Sequence, residues 1–153
     1  MSQQEGVPSL AAQPDQYTQW QLVYFRSGTR KNDVMEQVAS QLSDADIRDL
    51  GAYFARLPPP PPASGPDAQP QLTTEGAQLA PRHQCNSCHK EDYTGQQAIA
   101  RLAGQREDYL LKALRDFKSN VRSGGGVAAM PTTVYDLTDS DLVALAHYLA
   151  RAP

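Results

Sequence analysis

Residues 85–89 read CNSCH, and this stretch decides the fold that we expect for the chain. Two cysteines separated by two residues and followed at once by a histidine form the pattern to which c-type haem is attached. Each thiol adds to one vinyl group of the porphyrin, and the histidine ligates the iron from the proximal side. Cys85 and Cys88 are the only cysteines of the chain, and both lie inside the motif. We therefore predict one covalent haem c, with His89 as a ligand of its iron.

Two other uses of the motif explain less of it. A redox-active dithiol would use Cys85 and Cys88, but it gives His89 no role and is expected beside a βαβ pattern, which this sequence lacks. A zinc site needs four ligands, usually from a second pair of cysteines or histidines. The remaining histidines, His83 and His147, do not form such a pair.

Length and composition limit the classes of protein that the chain can be. Its 153 residues, 40% of them hydrophobic, suffice for one medium domain or two small ones. The net charge is −3, no basic patch indicates nucleic-acid binding, and no apolar run is long enough to cross a bilayer. The first residues lack the apolar core of a signal peptide. Because haem is attached to such motifs outside the bacterial cytoplasm, we expect a periplasmic protein whose leader is absent from this chain, with association to a membrane complex left open.

A run of prolines divides the chain. Pro58 to Pro62 is uninterrupted, and such a run forms a stiff, extended spacer that cannot continue a helix. We therefore predict a helical module over residues 1–57, a Pro-rich linker over 58–70 and a haem domain over 71–153.

The two parts are related as repeats. Equivalent residues stand 92 positions apart at first, as Tyr17 and Tyr109 do, and 95 apart after an insertion, as Met35 and Met130 do. The first copy has no counterpart of residues 71–90, which contain the haem motif. We therefore predict that residues 1–57 are a truncated, haemless copy, in which Met35 packs and ligates no metal.

Helical signals dominate the sequence. Apolar residues recur with helical spacing in residues 105–118 and again in 139–151. Ser43 with Asp46, and Thr138 with Asp141, are capping-box pairs that would start two equivalent helices. Gly124 to Gly126 predict a flexible turn, and Pro131 predicts a loop after Met130. With no alternating strand pattern, the fold class expected is all-α.

The sixth iron ligand is predicted to be Met130, which follows the glycine-rich turn and precedes Pro131. His147, His83 and an open coordination position remain the alternatives. A thioether opposite an imidazole raises the reduction potential of haem iron. Arg122 is a candidate partner of the haem propionates, because a guanidinium matches carboxylate geometry, with a solvated surface charge as the alternative. Tyr109 is assigned to the wall of the haem pocket.

The chain resembles the class I cytochromes c, and more narrowly one domain of the dihaem cytochrome c4 type. The haem motif, the Leu-Ala-Gly-Gln stretch at 102–105, Tyr109, Phe117 and Met130-Pro131 carry the likeness. It covers residues 71–153 well and residues 7–57 as a copy without its haem site. It implies a class I cytochrome c fold in the C-terminal half and single-electron transfer between periplasmic or membrane partners. The family usually has proline before that stretch, with a carbonyl that orients the haem histidine; Ala100 stands there instead, and we expect its carbonyl to serve.

The leading functional hypothesis is a one-electron carrier, not an enzyme, that acts between redox partner proteins. The alternatives are a haem subunit of a larger periplasmic dehydrogenase or oxidase complex, and a haem-based ligand sensor. In the first copy, Trp20, Val23 and Tyr24 form an apolar helix face whose equivalents in the second copy are charged. We expect this face to dock against the haem domain, a second copy of the chain or a partner protein.

Overall fold

The computed structural model describes residues 2–63 and 65–153. Helices account for nearly all of the regular structure, and within these ranges the only β pairing is an isolated bridge between Gln96 and Ile99. The first half contains α1 (Asp15–Arg26), α2 (Asp33–Ser40) and α3 (Asp44–Arg56). The second half contains α4 (Pro70–Arg82), α5 (Cys85–His89), α6 (Glu107–Lys118), α7 (Ala129–Val134) and α8 (Asp139–Arg151). The all-α prediction is confirmed.

Across the described ranges, no helix combines the length and the apolar character that a membrane span requires.

Equivalent helices α3 and α8 begin in the same way. The Ser43 hydroxyl accepts a hydrogen bond from the Asp46 N–H, and the Asp46 carboxylate accepts one from the Ser43 N–H. Thr138 and Asp141 repeat this arrangement at the start of α8. Each capping box satisfies two backbone donors that the first helical turn would otherwise leave unpaired. Both predicted helix starts are therefore confirmed.

The core of the second half lies where α8 crosses α4 and packs on α6. A Cβ atom on Gly76 would stand 2.3 Å from the carbonyl oxygen of Ala144, so only glycine allows the two backbones to approach this closely. The largest side chains that are almost completely buried are Val134, Leu142 and Leu145. This crossing holds α8 as the central element of the domain.

In the described residues of the first half, no helix covers the equivalent face of α3. No helix lies in residues 2–14, and α3 packs instead on α1 with one face open. Leu50 is half-buried whereas its counterpart Leu145 is 1% exposed, and Tyr53 is 59% exposed. The smaller core there consists of Leu22, Phe25, Ala39 and Ile47.

The proline-rich linker runs along the second half. The N–H of Ala63 donates to the carbonyl of Ala150 over 2.9 Å, and Pro60 is buried. Gly104 has a φ of +67°, and a Cβ there would stand 2.8 Å from the carbonyl oxygen of Pro60. The linker is therefore docked on the second half at both of these points.

The two halves meet in a joint that repeats itself about an approximate twofold axis. The Gln13 side chain donates to the carbonyl of Arg101 and accepts from its N–H, at 2.9 and 3.0 Å. Gln105, the counterpart of Gln13, makes the same pair of bonds with the backbone of Ser9, the counterpart of Arg101, at 2.9 and 2.8 Å. The duplication read from the sequence thus also relates the contacts between the halves.

One local prediction is wrong. The chain forms a 3-10 turn at Gly125–Val127 and then the short helix α7, so that Met130 and Pro131 are helical and Pro131 follows no loop. Pro131 is the third residue of α7, where a backbone N–H has no partner within the helix. A proline is therefore tolerated at that position, and helix formation is compatible with it.

Candidate functional site

The helix α5 contains the haem motif and little else. Gln84 before it and Lys90 after it both have positive φ values, of 56° and 70°, which isolate this single turn. Cys85 is half-buried at the edge of the core, Cys88 is exposed, and neither forms a disulfide. Burial raises the pKa of the Cys85 thiol. The motif thus presents two unpaired thiols one helical turn apart.

His89 is held in the form that can bind a metal. The ring is 8% exposed, and its Nδ1 lies 2.8 Å from the carbonyl oxygen of Ala100. Because a carbonyl only accepts, Nδ1 carries the hydrogen and Nε2 is left with a free lone pair. Burial lowers the pKa of His89 and favours the neutral ring, although the bond to Ala100 opposes this. The contact that we expected from Ala100 is present.

Met130 lies on α7 at the border of the same core. It is half-buried and packs against the buried cluster that contains Phe117 and Tyr93, and Cys85 packs at the edge of that cluster too. The structure therefore brings α5 and α7 to one hydrophobic cluster, although they lie about 40 residues apart in the sequence. The role of Met130 as a ligand stays a prediction.

His147 makes contacts that occupy both of its ring nitrogens. It is 3% exposed; Nδ1 lies 3.1 Å from Glu107 Oε1, and Nε2 lies 3.0 Å from Asp67 Oδ1. Arg151 Nε also lies 3.2 Å from His147 Nε2. A ring held between two carboxylates is a poor candidate for an iron ligand, which favours Met130. No pattern in the sequence predicts this cluster, because Asp67 and Glu107 lie 80 and 40 residues from His147.

Arg122 and Tyr109 face the first half of the chain. Arg122 Nη2 donates to the Tyr17 hydroxyl over 3.2 Å and to Gln21 Oε1 over 3.0 Å. The Tyr109 hydroxyl accepts from Arg30 Nη2 over 3.1 Å. Arg122 is only 9% exposed, so the alternative of a solvated surface charge is wrong. The binding of haem by these two residues remains a prediction.

The contacts of the two arginines repeat about the same axis as those of the glutamines. Arg30 lies over the ring of Phe25 at 4.5 Å, and Arg122 lies over the equivalent Phe117 at 4.7 Å. Burial raises the pKa of Tyr109, but the positive charges of the arginines outweigh it and leave that pKa below its usual value. The centre of the joint is therefore strongly positive.

The predicted docking face of Trp20, Val23 and Tyr24 is only partly used for contacts within the molecule. The Tyr24 hydroxyl accepts from the N–H of Gly126 over 2.8 Å, so Tyr24 docks on the turn that precedes α7. Trp20 stacks on Tyr24 with ring centroids 5.7 Å apart but is 48% exposed. Tyr24 thus meets the intramolecular prediction, whereas much of Trp20 faces outward.

Comparison with known proteins places this geometry in a family. The family model described as Cytochrome c matches residues 73–153. The thiosulfate dehydrogenase electron acceptor of Thiomonas intermedia is 34% identical, over 97% of this chain and 71% of the relative. A cytochrome c4 from Thiocapsa roseopersicina is 30% identical, over 93% of this chain and 77% of the relative. The crystal structure of cytochrome c4 from Pseudomonas stutzeri has a TM-score of 0.89 at 26% identity, covering 99% of this chain and 88% of that one.

These relatives, the all-helical fold and the haem motif agree with one another. The chain belongs to the cytochrome c family: it is a cytochrome c4-like electron-transfer protein that carries covalently bound haem c.

Proposed function

We propose that this chain is a periplasmic one-electron carrier whose haem c is attached through Cys85 and Cys88 and ligated by His89 and Met130. The observation that carries this proposal is the hydrogen bond from His89 Nδ1 to Ala100, which leaves Nε2 free on a buried, neutral ring. The donor set of two free thiols, an imidazole and a thioether fits haem c and no other common cofactor. The bound haem supplies a one-electron couple between ferric and ferrous iron.

The residues around the site support a carrier better than an enzyme. If His89 and Met130 both ligate the haem iron, no iron position would be open to a substrate. The thioether of Met130 stabilises the ferrous state and raises the reduction potential. The hydrogen bond to Ala100 fixes the orientation of the His89 ring in both oxidation states. Such a site changes little in structure when it gains or loses an electron.

The division of the chain is part of the proposal. We assign residues 1–57 to a haemless copy of the cytochrome c domain, 58–70 to the linker and 71–153 to the haem domain. The matched capping boxes of α3 and α8 and the reciprocal joint support the common origin of the two copies. In this arrangement the first copy acts as a docking module.

Two matched substitutions test the ligand assignment. Met130→Ala is expected to convert a low-spin spectrum into a high-spin one, to lower the reduction potential and to allow the ferrous protein to bind CO. Met35→Ala changes the equivalent residue of the haemless copy and is expected to leave all three properties unchanged. If Met130→Ala keeps the spectrum and the potential of the parent protein, Met130 is not the ligand.

A second, more specific function is electron acceptance from a periplasmic dehydrogenase. The name of the 34% identical relative, a thiosulfate dehydrogenase electron acceptor, supports it. The exposed part of Trp20 offers a docking surface for such an enzyme. When no enzyme is bound, a second copy of the chain could dock on the same surface.

Stopped-flow reduction tests this function with a purified thiosulfate dehydrogenase, thiosulfate and the oxidised holoprotein. We expect rapid haem reduction that slows at least tenfold in Trp20→Ala, while Tyr53→Ala, which truncates an exposed aromatic side chain elsewhere, reacts at the parent rate. No reduction of the parent protein by the enzyme would refute this function and would leave the carrier proposal standing.

A further inference from the structure

Two arginines converge at the joint between the halves. Gln21 Oε1 accepts from Arg30 Nη1 over 2.7 Å and from Arg122 Nη2 over 3.0 Å. One neutral oxygen therefore lies between two positive charges. Repulsion between like charges is stronger at a partly buried site than in water, because the effective dielectric constant is lower. We call these two residues the arginine pair.

The described part of the chain supplies no anion to the arginine pair. None of the ion pairs in residues 2–63 and 65–153 includes Arg30 or Arg122. The Nε atom of Arg122 is also buried and has no hydrogen-bond partner in these ranges. A buried guanidinium is normally paired, because an uncompensated buried charge is costly. The geometry therefore indicates an acidic group that the side chains do not provide.

The arginine pair is connected to the proposed haem site through packed side chains. Arg122 lies over Phe117, which belongs to the buried cluster that Cys85 and Met130 edge. Val127 packs on that cluster and also lines a cavity of about 10 Å³ beside both arginines. A cavity of this size holds about one water molecule. A propionate of the haem that the proposed site would hold has the charge needed to pair with these arginines.

We propose that Arg30, which belongs to the haemless half, binds a haem propionate together with Arg122 and raises the reduction potential of the haem. The proposal rests on the haem site of the proposed function and adds a residue from the other half to it. Oxidised haem carries one positive charge more than reduced haem, so a nearby guanidinium disfavours the oxidised state. Arg30 is thus a positioning and tuning residue, and the first half is a component of the haem site in addition to a docking module.

Potentiometric titration of holoprotein variants tests this role. Arg30→Gln is expected to shift the ratio of oxidised to reduced haem three- to tenfold toward the oxidised form at a fixed electrode potential, about 30 to 60 mV for one electron. Arg30→Lys keeps the positive charge, so its reduction potential should lie close to that of the parent protein. Arg48→Gln removes the same charge from the exposed surface of α3 and is the control.

An equal potential in Arg30→Gln and Arg48→Gln, with an unchanged low-spin spectrum, would overturn the role of Arg30 while the proposed ligands stand. A spectrum without His/Met character in the parent protein would instead contradict the proposed function. The two failures are therefore distinguishable in one set of samples.

Two measurements on the parent holoprotein keep the inference testable if Arg30→Gln does not fold. With Arg30, Arg122, Tyr17 and Tyr109 around the site, propionates should stay ionised in both oxidation states, so the potential should be constant from pH 5 to pH 8. A reduction potential that falls as the pH rises would report proton uptake on reduction and would overturn the proposal. A saturable response of the potential to sulfate or phosphate at constant ionic strength would assign the site to a free anion and would overturn it too.

Discussion

Replacing Gln105 by alanine tests whether the joint holds the two halves together. Gln105 is 5% exposed, and its amide satisfies both the N–H and the carbonyl of Ser9, which is 3% exposed. A buried polar group left without its partner costs about 1–3 kcal/mol. With two groups affected and some water entry into the gap, we expect a loss of about 2–4 kcal/mol in the free energy of unfolding.

Urea denaturation of the holoprotein measures this loss with two probes. Trp20 is the only tryptophan and lies in the first half, whereas haem absorbance reports on the second half. With a slope of about 2 kcal/mol per molar urea, the midpoint should fall by about 1–2 M. The Trp20 transition should also come before the haem transition, because the first half undocks first.

Two further variants control the measurement. Gln13→Ala removes the symmetry-related pair of bonds to Arg101 and should lose a similar amount of stability. Gln78→Ala lies on the exposed face of α4 and should stay within about 0.5 kcal/mol of the parent protein. If Gln105→Ala is as stable as Gln78→Ala and its two transitions coincide, the joint does not stabilise the docked state.

Three more predictions concern the second half and the linker before it. Gly76→Ala should cost about 3 kcal/mol or more, since its Cβ would meet Ala144, and an unchanged melting temperature would contradict the close helix crossing. Thr138→Ala should cost about 1 kcal/mol in urea denaturation, and no loss would mean that its capping box is dispensable. Hydrogen bonds from Thr73 and Gln69 lower the pKa of Asp67 from 3.8 to about 2. This contribution to stability is present above pH 4 and is lost as the pH falls toward 2. The free energy of unfolding of Asp67→Asn should therefore depend less steeply on pH in this range than that of the parent protein. Equal slopes in the two proteins would exclude a stabilising role of the Asp67 carboxylate.

The repeat could be read from the sequence because its signals are local. Helix periodicity, capping residues and the CNSCH motif each depend on residues a few positions apart, and each is visible without a structure. The register of the duplication then identified Arg30 with Arg122 and Gln13 with Gln105. It did not show that these equivalent residues meet across the joint.

The helical state of Met130 and Pro131 was missed for a different reason. Three glycines and a proline have poor helix propensity, which predicts a turn and a loop. Packing of Val134 into the core, where it is 1% exposed, and the tolerance of a first helical turn for proline outweighed that preference.

The sequence by itself determined the all-α class, the haem attachment motif and the duplicated pattern of helices, because these follow from spacings within a few turns. Only the tertiary structure decided that the linker docks on α8, that His147 lies between Asp67 and Glu107, and that Arg122 faces Tyr17 and Gln21. Those contacts join residues 40 to 105 positions apart. They exist because burial of apolar surface brings distant helices together, and the polar groups that are buried with them must then find partners.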